Sequence, residues 1–516
     1  MRLLRSMQTL RFVSVAALCQ CVLSFVLSAS PAMTIFGNVR GVVHDPTDRS
    51  IPGAQVTIGS RTSNWSQSAT SDAEGAFEFS AVPVGEYAVS VMATGFGAQE
   101  QQLTVVSGSA PVLRFAMKIA GVEQSVEVSA SPDSLTTQSS TPISIVSRQD
   151  IARTPGADRT NSLSMITDYV PGTYFTHDQL HIRGGHAVTW AIDGVPIPNT
   201  NIASNVGPHV DPKNIDYLEV LRGSYTADYG DRTYGVFNVS PRTGFERNKE
   251  AEVVTSFGNF YQTNSEVSLG DHSQRFAYLA SVNGNRSDLG LETPTAAVIH
   301  DRENGFGGFG SLMFNFRPAD QLRLVTSVRK DFYQVPNDPD TQAAGVRDVE
   351  RESDAVVDFS WVHTLSSGVL LTVSPFYHFN RANFIGGPND PNFNVQQNRA
   401  SNYAGGQAVL SAVLHKNNAR AGFYGFAQRD SARLNVQGTD GSGFGIGQTA
   451  TPSGDLEALF VEDEYQAASW LRVNGGLRLT RFSGSISENA ASPRAGVAIR
   501  IPKLNWDPAG ILRALL

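Results

Sequence analysis

Three histidines, His177, His181 and His186, lie close together in the sequence and could in principle ligate a metal ion. Imidazole nitrogens are common zinc and copper ligands, so this cluster has to be tested against the structure expected around it. The surrounding residues predict short strands, and on a strand this spacing does not place all three side chains on one face. The sequence therefore predicts no metal site here.

A glycine-rich segment is the second candidate for chemistry. Gly305 to Gly310 matches G-x-G-x-x-G, which in dinucleotide-binding proteins follows a strand and opens a helix. Here Ser311 to Phe316 predicts another strand, so we interpret the glycines as part of a strand and predict no cofactor. The sequence also lacks an evident acid–base pair or activated nucleophile. We therefore expect a protein that is not an enzyme.

The first 32 residues have the pattern of a secretory signal peptide. Arg2, Arg5 and Arg11 precede an apolar stretch from Phe12 to Ser28, and Ser30-Pro31-Ala32 is a small-x-small cleavage site. A short membrane anchor is the alternative interpretation. The signal implies export from the cytoplasm.

Composition limits the class of the mature protein. Both cysteines, Cys19 and Cys21, lie in the predicted signal, so the mature chain would have no disulfide, catalytic thiolate or cysteine-bound metal. Without the three signal arginines, 37 basic residues face 48 acidic ones, and the net charge of −11 argues against a nucleic-acid partner. No later run approaches the roughly 18 apolar residues of a membrane-spanning helix. A β-rich protein is favoured.

Residues 37–118 predict a small β-sandwich. Turn-forming segments such as Ile51-Pro52-Gly53-Ala54 and Val82-Pro83-Val84-Gly85 separate short strand-like runs. Together with Ser71-Asp72-Ala73-Glu74-Gly75, they resemble the motifs of the carboxypeptidase regulatory-like domain, which has a prealbumin- or immunoglobulin-like sandwich and no implied peptidase activity. The predicted strands are Val39–His44, Gln55–Ile58, Ala76–Phe79, Tyr87–Met92 and Gln102–Val106.

Residues 141–245 resemble the plug domain of TonB-dependent outer-membrane receptors. The segments Leu180 to Gly185, Trp190 to Ile197 and Asn214 to Val239 match its I-x-I-R-G, I-D-G-V-P and E-V-L-R-G…Y-G patterns in the family's order. We refer to these residues as the candidate plug, a small α+β domain. The matching positions are Ile182, Arg183, Gly184, Asp193, Gly194, Glu219, Arg222, Gly223, Tyr229 and Gly230.

The two Arg-Gly pairs suggest a role within that family. Arg183 and Arg222 each follow a predicted strand, and a guanidinium can bind a carboxylate through two hydrogen bonds. In a plug inside a barrel, we expect them to pair with carboxylates on the barrel wall. The alternative is that each arginine ends a strand and faces solvent.

A linker rich in Ser, Thr and Gln spans residues 119–140. The alternation from Gln124 to Ala130 resembles a TonB box, which pairs through its backbone with an edge strand of the partner TonB. The alternative is a last strand of the sandwich or ordinary linker. The candidate TonB-box residues are Val126, Glu127, Val128, Ser129 and Ala130.

Residues 250–501 predict a transmembrane β-barrel from periodicity alone. In Leu471 to Thr480, apolar residues alternate with polar ones, as they do in Leu322 to Arg329 and in Asp354 to Trp361. Tight turns such as Ser366-Ser367-Gly368 alternate with long predicted loops, at 287–304, 333–350, 381–400 and 430–453. Strands of about ten residues, short periplasmic turns and long outer loops are typical of such barrels.

The predicted barrel is incomplete. We count about 12 strands, whereas the plugged outer-membrane transporters have about 22. Residues 502–516 do not alternate and form an atypical tail. An open sheet leaves strand edges that lipid cannot satisfy, so we expect a C-terminally truncated receptor.

The resemblance implies a mainly β receptor and transporter in the cell outer membrane, with the N-terminal domain and plug on the periplasmic side. Its partners would be TonB with its inner-membrane energising complex, outer-membrane lipid, and a scarce ligand, which could be a siderophore, a cobalamin or an oligosaccharide. One alternative is a secreted β-rich adhesion or carbohydrate-binding protein without transport. Another is a fragment without function.

Overall fold

The computed structural model describes residues 36–118 except 48, 108 and 110, then 128–129, 143–154, 167, 170–176, 179–185, 188–198, 210–223, 225–230, 234–288, 299–317, 319–366, 368–468, 470–500 and 511–515. The predicted signal peptide and most of the linker lie outside these residues. None of the helices in the described ranges is long and apolar enough to cross a membrane.

The N-terminal unit is a sandwich of two sheets, with strand orders β4-β1-β7 and β3-β2-β5-β6-β8. Alternate residues such as Val39, Val56, Ile58, Val89 and Phe115 are fully buried between the sheets, which is why these segments form strands. The strands are β1 (Phe36–His44), β2 (Gln55–Ser60), β3 (Ser66–Thr70), β4 (Ala76–Pro83), β5 (Gly85–Met92), β6 (Gln99–Val105), β7 (Val112–Ala116) and β8 (Val128–Ser129).

The candidate plug is built on a five-stranded sheet of order β13-β12-β15-β14-β9, beside a separate β10–β11 hairpin. A short helix, α1 (Arg148–Arg153), is capped by Ser147 and Asp150, and Arg148 Nη2 lies 2.7 Å from the Asp216 carboxylate. The strands are β9 (Ile143–Ser147), β10 (Thr173–Thr176), β11 (Gln179–Ile182), β12 (Val188–Ile192), β13 (Val195–Ile197), β14 (Ile215–Leu221) and β15 (Gly235–Pro241).

The C-terminal part is one antiparallel sheet in which neighbours in sequence are neighbours in space, except that β26 passes β25 to pair with β24. A helix, α2 (Pro339–Ala344), lies between β20 and β21. The strands are β16 (Glu250–Phe257), β17 (Thr263–His272), β18 (Phe276–Ser287), β19 (Glu303–Arg317), β20 (Asp320–Gln334), β21 (Val349–Ser366), β22 (Val369–Ile385), β23 (Phe393–Leu414), β24 (Asn417–Gly438), β25 (Gly445–Ala450), β26 (Ser453–Ala468), β27 (Leu471–Ser483), β28 (Ser487–Arg500) and β29 (Ile511–Leu515).

This sheet is apolar outside and polar inside, as its periodicity predicted. Val473, Leu477 and Leu479 are exposed, whereas Asn474 and Arg478 on the same strand are buried, Arg478 against the candidate plug. Other strands of the sheet likewise have exposed apolar residues and buried polar ones. The mainly β fold class is confirmed. Other buried polar side chains on the inner face include Asn264, Ser281, Asp331, Asp354, Asp358, Ser374, Asn380, Ser401 and Gln407.

Three details of the sheet differ from the sequence predictions. Among the described residues between Glu250 and Arg500 it has 13 strands, not about 12, and Ile511–Leu515 in the atypical tail pairs with β28. β23 and β24 are 22 residues long, more than twice the expected length. The predicted loops 381–400 and 430–453 are largely strand, because the hairpins extend beyond the part of the sheet that has an apolar outer face. In these extensions apolar residues do not alternate with polar ones, so the sequence pattern does not reveal a strand.

Candidate functional site

The turn between β12 and β13 projects a carboxylate from the candidate plug to the large antiparallel sheet, β16–β29, which we call the wall. Asp193 and Gly194 have φ angles of 49° and 79°, which suits a two-residue hairpin turn with glycine at the second position. The Asp193 N–H donates to Val239 O at 2.9 Å, and the Gly194 N–H donates to Asn238 Oδ1 at 2.7 Å. These bonds fix the turn on β15 and aim the Asp193 side chain outward from the plug sheet.

The Asp193 carboxylate meets an arginine of the sheet. Arg323 Nε on β20 lies 2.7 Å from Asp193 Oδ2, and both side chains are buried. Arg323 also donates from Nη2 to Pro241 O at 2.9 Å. Burial raises the pKa of Asp193 to about 6, and the Arg323 charge limits that rise. This pair connects the plug to the wall.

Glu219 lies at the centre of the plug sheet, on β14, and is 0% exposed. Asn238 Nδ2 on the neighbouring β15 donates to Glu219 Oε2 at 2.7 Å. The other donors belong to Ser107 of the sandwich, whose N–H and Oγ lie 3.0 and 2.6 Å from the carboxylate. Burial raises the pKa of Glu219, and the bonds from Ser107 and Asn238 oppose that rise.

The loop around Tyr229 and Gly230 is held by the wall through its backbone. Arg478 Nη1 donates to Asp228 O at 2.8 Å, and Arg494 Nη1 donates to Tyr225 O at 2.9 Å. A Cβ on Gly230 would come within 2.3 Å of Arg478 Nε, so only glycine leaves room for this arginine. Arg420 and Glu462 complete the contact, since Arg420 lies 3.9 Å from Asp228 and Glu462 accepts from Ala227 N.

Comparison with known proteins gives the family of each N-terminal unit. Residues 38–118 match the model of the carboxypeptidase regulatory-like domain, and residues 136–236 match that of the TonB-dependent receptor plug domain. The chain contains a TonB-dependent receptor plug. No curated protein sequence matches it.

Solved structures share the fold of most of this chain at low identity. The ferric yersiniabactin uptake receptor FyuA from Yersinia pestis superposes with a TM-score of 0.56 at 12% identity, over 72% of this chain and 63% of that one. The ferric-catecholate import receptor Fiu from E. coli gives 0.55 at 14% identity, over 71% and 68%. The alcaligin outer-membrane receptor FauA from Bordetella pertussis gives 0.54 at 14%, over 72% and 62%. These proteins are receptors, not enzymes, and the chain spans about two thirds of their length.

The plug arginines are not placed as the sequence suggested. Arg183 is exposed in a left-handed turn, with φ of 52°, followed by Gly184 at 87°. Arg222, followed by Gly223 at φ 94°, donates from Nη1 to Pro171 O of the plug itself at 3.3 Å. Burial, and then the Arg183 charge, lower the pKa of Arg222. Among the described residues neither arginine pairs with a wall carboxylate, so the expected contact is wrong there.

The polarity of the contact is instead reversed, because the wall supplies the arginines. Arg323, Arg420, Arg478 and Arg494 bind carboxylates or carbonyls of the plug. Sequence reasoning missed these four residues, together with Ser107, Asn238 and Glu462. One signal was available: Arg323 and Arg478 stand on the polar face of alternating strands, where a charge must face the interior of the sheet.

The candidate TonB box is described only in part. Val128–Ser129 forms β8, which pairs in parallel with β6 at the edge of the sandwich, Val128 opposite Glu100 and Ser129 opposite Gln101. This is the position of a last sandwich strand, the alternative considered above. Val126, Glu127 and Ala130 lie outside the described residues.

Some of the residues first considered for chemistry lie in the described part of the chain, and these occupy ordinary positions. His181 stacks on Tyr174 with ring centroids 5.0 Å apart, while His177 and His186 lie outside the described residues. In the part of the chain that the structure describes, no group of three potential ligands could hold a metal ion. Gly305 to Gly310 lies inside β19, where a Cβ on Gly305 would come within 2.0 Å of Asp331 Oδ1.

Proposed function

We propose that this protein is a TonB-dependent receptor that imports a scarce ligand across the outer membrane. One observation carries the proposal: a plug domain seats against the polar inner face of a sheet whose outer face is apolar. Arg478, Arg494 and Glu462 of that sheet bind the backbone of the plug loop at Ala227 to Tyr229. In such a receptor a plug held in this way would close the channel and would leave when it is pulled.

The outer membrane is the proposed location because the sheet has the inverted pattern of a membrane barrel. Leu459, Val461 and Leu479 face outward, where lipid would satisfy them. The sandwich lies at the end of the sheet with short turns, where Gly368 N donates to Ser80 Oγ at 3.5 Å. Short turns are periplasmic in such barrels, so the sandwich and its following strand would face TonB.

TonB is the proposed partner, and the strand Val128–Ser129 is the proposed place of force transfer. Its pairing with β6 comprises two residue pairs, a short contact that a partner strand can replace by β-augmentation. The force applied there would then pass to the plug, which the wall holds through the arginine hydrogen bonds described above.

A ferric siderophore is the first ligand class to test. FyuA, Fiu and FauA are described as receptors for ferric yersiniabactin, ferric catecholates and alcaligin, and they share the fold of this chain. Cobalamin and oligosaccharides are the other classes that the resemblance implies, and each is a separate arm of the same uptake experiment.

Uptake in a receptor-deleted strain complemented with this chain tests the proposal. The probes are ferric hydroxamates and ferric catecholates carrying radioactive iron, then labelled cobalamin and labelled oligosaccharides. We expect accumulation of one class, lost in a strain without TonB and in a Val128→Pro variant, which cannot pair through its backbone N–H. The matched control is Thr70→Pro at the far edge strand of the same sheet.

Fractionation of the same cells distinguishes the receptor from a secreted binding protein. The receptor should partition with the outer membrane and migrate faster on gels before heating than after it. Release into the medium, or no uptake of any probe by an outer-membrane form, would contradict the proposal.

A further inference from the structure

The N-terminal sandwich makes a built contact with the plug that receptor function does not by itself require. The contact is centred on Glu219, a fully buried carboxylate in the middle of the plug sheet. A buried carboxylate is costly unless hydrogen bonds satisfy it, and two of its three donors come from Ser107. The plug sheet therefore depends on another domain to satisfy its central charge.

In two further hydrogen bonds across this interface, the sandwich again supplies the donor and the plug the acceptor. The Glu86 N–H of the sandwich donates to Tyr217 Oη at 3.2 Å, and Tyr217 is two residues from Glu219 on β14. The Asn64 N–H donates to Phe245 O at 3.0 Å, and the Phe245 side chain joins the buried core of the sandwich. Three separate segments of the sandwich thus donate backbone N–H groups to the plug: the turn at Ser107, the start of β5 at Glu86 and the loop at Asn64.

Glu219 is also linked to the wall contact. Asn238 donates to Glu219 through Nδ2 and accepts the Gly194 N–H through Oδ1. Gly194 follows Asp193, whose carboxylate meets Arg323 of the wall. A continuous chain of polar contacts therefore runs from Ser107 through Glu219, Asn238 and the Asp193–Gly194 turn to the sheet.

The sandwich meets the wall both across a cavity and through buried apolar residues. The cavity, of about 760 Å³, lies between strands β3 and β4 and the short turns of the sheet. Beside it Phe36 packs with Val362 and Leu370 of the wall, and Ala277 and Met313 of the wall join the core of the sandwich. The sandwich must therefore break this apolar contact as well as the polar contact with β14 when it leaves.

Ser107 is also joined to the strand beside the linker. It follows β6 within two residues, and β6 is the strand that pairs with Val128–Ser129. Ser109 Oγ accepts from Val106 N at 3.2 Å, and Ser109 O accepts from Asn38 N at 2.9 Å, so the turn after β6 is fixed to the sandwich. A pull that displaces β6 therefore displaces Ser107.

We propose that the sandwich is a latch on the plug, in which Ser107 holds Glu219 and the whole interface opens as one unit when the strand beside β6 is pulled. The proposal rests on the proposed receptor function, because a latch matters only if the plug is displaced. It predicts that the latch releases before the plug leaves the wall.

Amide hydrogen exchange of the full chain in detergent micelles tests whether the interface opens as one unit. Ser107→Asp places a second carboxylate against Glu219, and Ser107→Ala removes the hydroxyl, which donates to Glu219 and accepts from Asn238 Nδ2. For Ser107→Asp we expect the Asn64 and Glu86 amides, which do not touch Ser107, to exchange about 10-fold faster or more. Ser107→Ala should give a smaller change in the same amides. Tyr217→Phe should accelerate the Ser107 amide in return.

The control is Thr70→Asp, an exposed hydroxyl of the same domain, which should leave all three amides unchanged. The amides of β2 inside the sandwich report whether the domain itself stays folded, and they should be unchanged in every variant. Faster exchange confined to residues 106–109 in Ser107→Asp would overturn the latch, since the interface would then not open as a unit.

A transport measurement distinguishes failure of the latch from failure of the receptor. If the wild-type chain takes up a labelled ferric chelate, Ser107→Asp should reach half-maximal uptake at a lower TonB level than Thr70→Asp. Identical curves would contradict a latch that resists the pull. No uptake by the wild-type chain would contradict the receptor function, and the exchange result would still decide whether the latch exists.

Discussion

The sandwich and the large sheet are both built from alternating strands, yet they bury opposite faces. Val56, Ile58 and Val89 of the sandwich point into a dry core. In the large sheet, Asp354 and Asp358 point inward, and Val357 on the same strand is exposed. Alternation predicts a strand in both regions, but it does not state which face is inside. The surroundings decide that: water outside the sandwich, and a polar plug inside the sheet.

The largest expected effect is that of a charge placed at a buried apolar position of the sandwich. Val89→Arg places a charge in the sandwich core and should destabilise that domain by about 4 kcal/mol or more, because nothing there can pair with it. Proteolysis of the full chain should then cleave within residues 36–118. The exposed control Gln55→Arg on the same domain should behave as wild type. A protease-resistant Val89→Arg sandwich would contradict a dry core.

The next effect should appear at an exposed apolar position of the sheet. Leu459→Arg near the middle of β26 should cost about 2 to 4 kcal/mol in lipid, because the charge would face hydrocarbon. The readout is the folded fraction in lipid vesicles from gel mobility before and after heating, with Leu459→Phe as the apolar control. If Leu459→Arg folds in lipid as well as Gln55→Arg does, the outer face is not a lipid face.

The third prediction concerns the charge that the plug buries against the wall. The pKa of Asp193 is raised from 3.8 to about 6, so the folded protein binds a proton more tightly than the unfolded chain. Its contribution to stability is therefore greatest below pH 3.8 and is lost as the pH rises through about 6, a change of up to about 3 kcal/mol. Urea unfolding between pH 4 and 7 measures it.

The control for this pH dependence is Asp193→Asn, which cannot ionise. Over the same range its free energy of unfolding should change less with pH than that of the wild type. An equal slope in both proteins would show that other groups set the dependence.

The smallest expected effect is at the arginine that binds the plug loop. Arg478→Met removes the donor to Asp228 O and should cost about 1 to 3 kcal/mol, measured as faster amide exchange in residues 225–230. Arg478→Lys keeps the charge but not the planar geometry, and we expect an intermediate effect. Unchanged exchange in Arg478→Met would mean that the wall does not hold this loop.

Much of the fold could be predicted because the signals are local. Turn residues and period-two alternation located β1, β2, β4 and β5 of the sandwich and the apolar face of β27. Strands β3 and β7 were missed because Ser66–Thr70 and Val112–Ala116 are short edge strands with mostly exposed residues, which have no strict alternation to reveal them.

The sequence named three residues of the site only as matches to plug motifs, and it did not indicate their partners. Asp193, Glu219 and Gly230 do lie where the plug meets another domain. The expected pairing of Arg183 and Arg222 with wall carboxylates was wrong within the described residues, since charge complementarity has no direction along a sequence. Either side of an interface can carry the arginine.

The sequence by itself determined most of the strands, the alternation along the large sheet and the order of the plug motifs, because each depends on residues close in the chain. Only the tertiary structure decided that wall arginines hold the plug and that Ser107 satisfies Glu219. Those contacts join residues far apart in the chain: Ser107 and Glu219 are 112 positions apart, and Arg478 and Asp228 are 250 apart. Burial makes them necessary, and only the packed fold shows which donor is near enough.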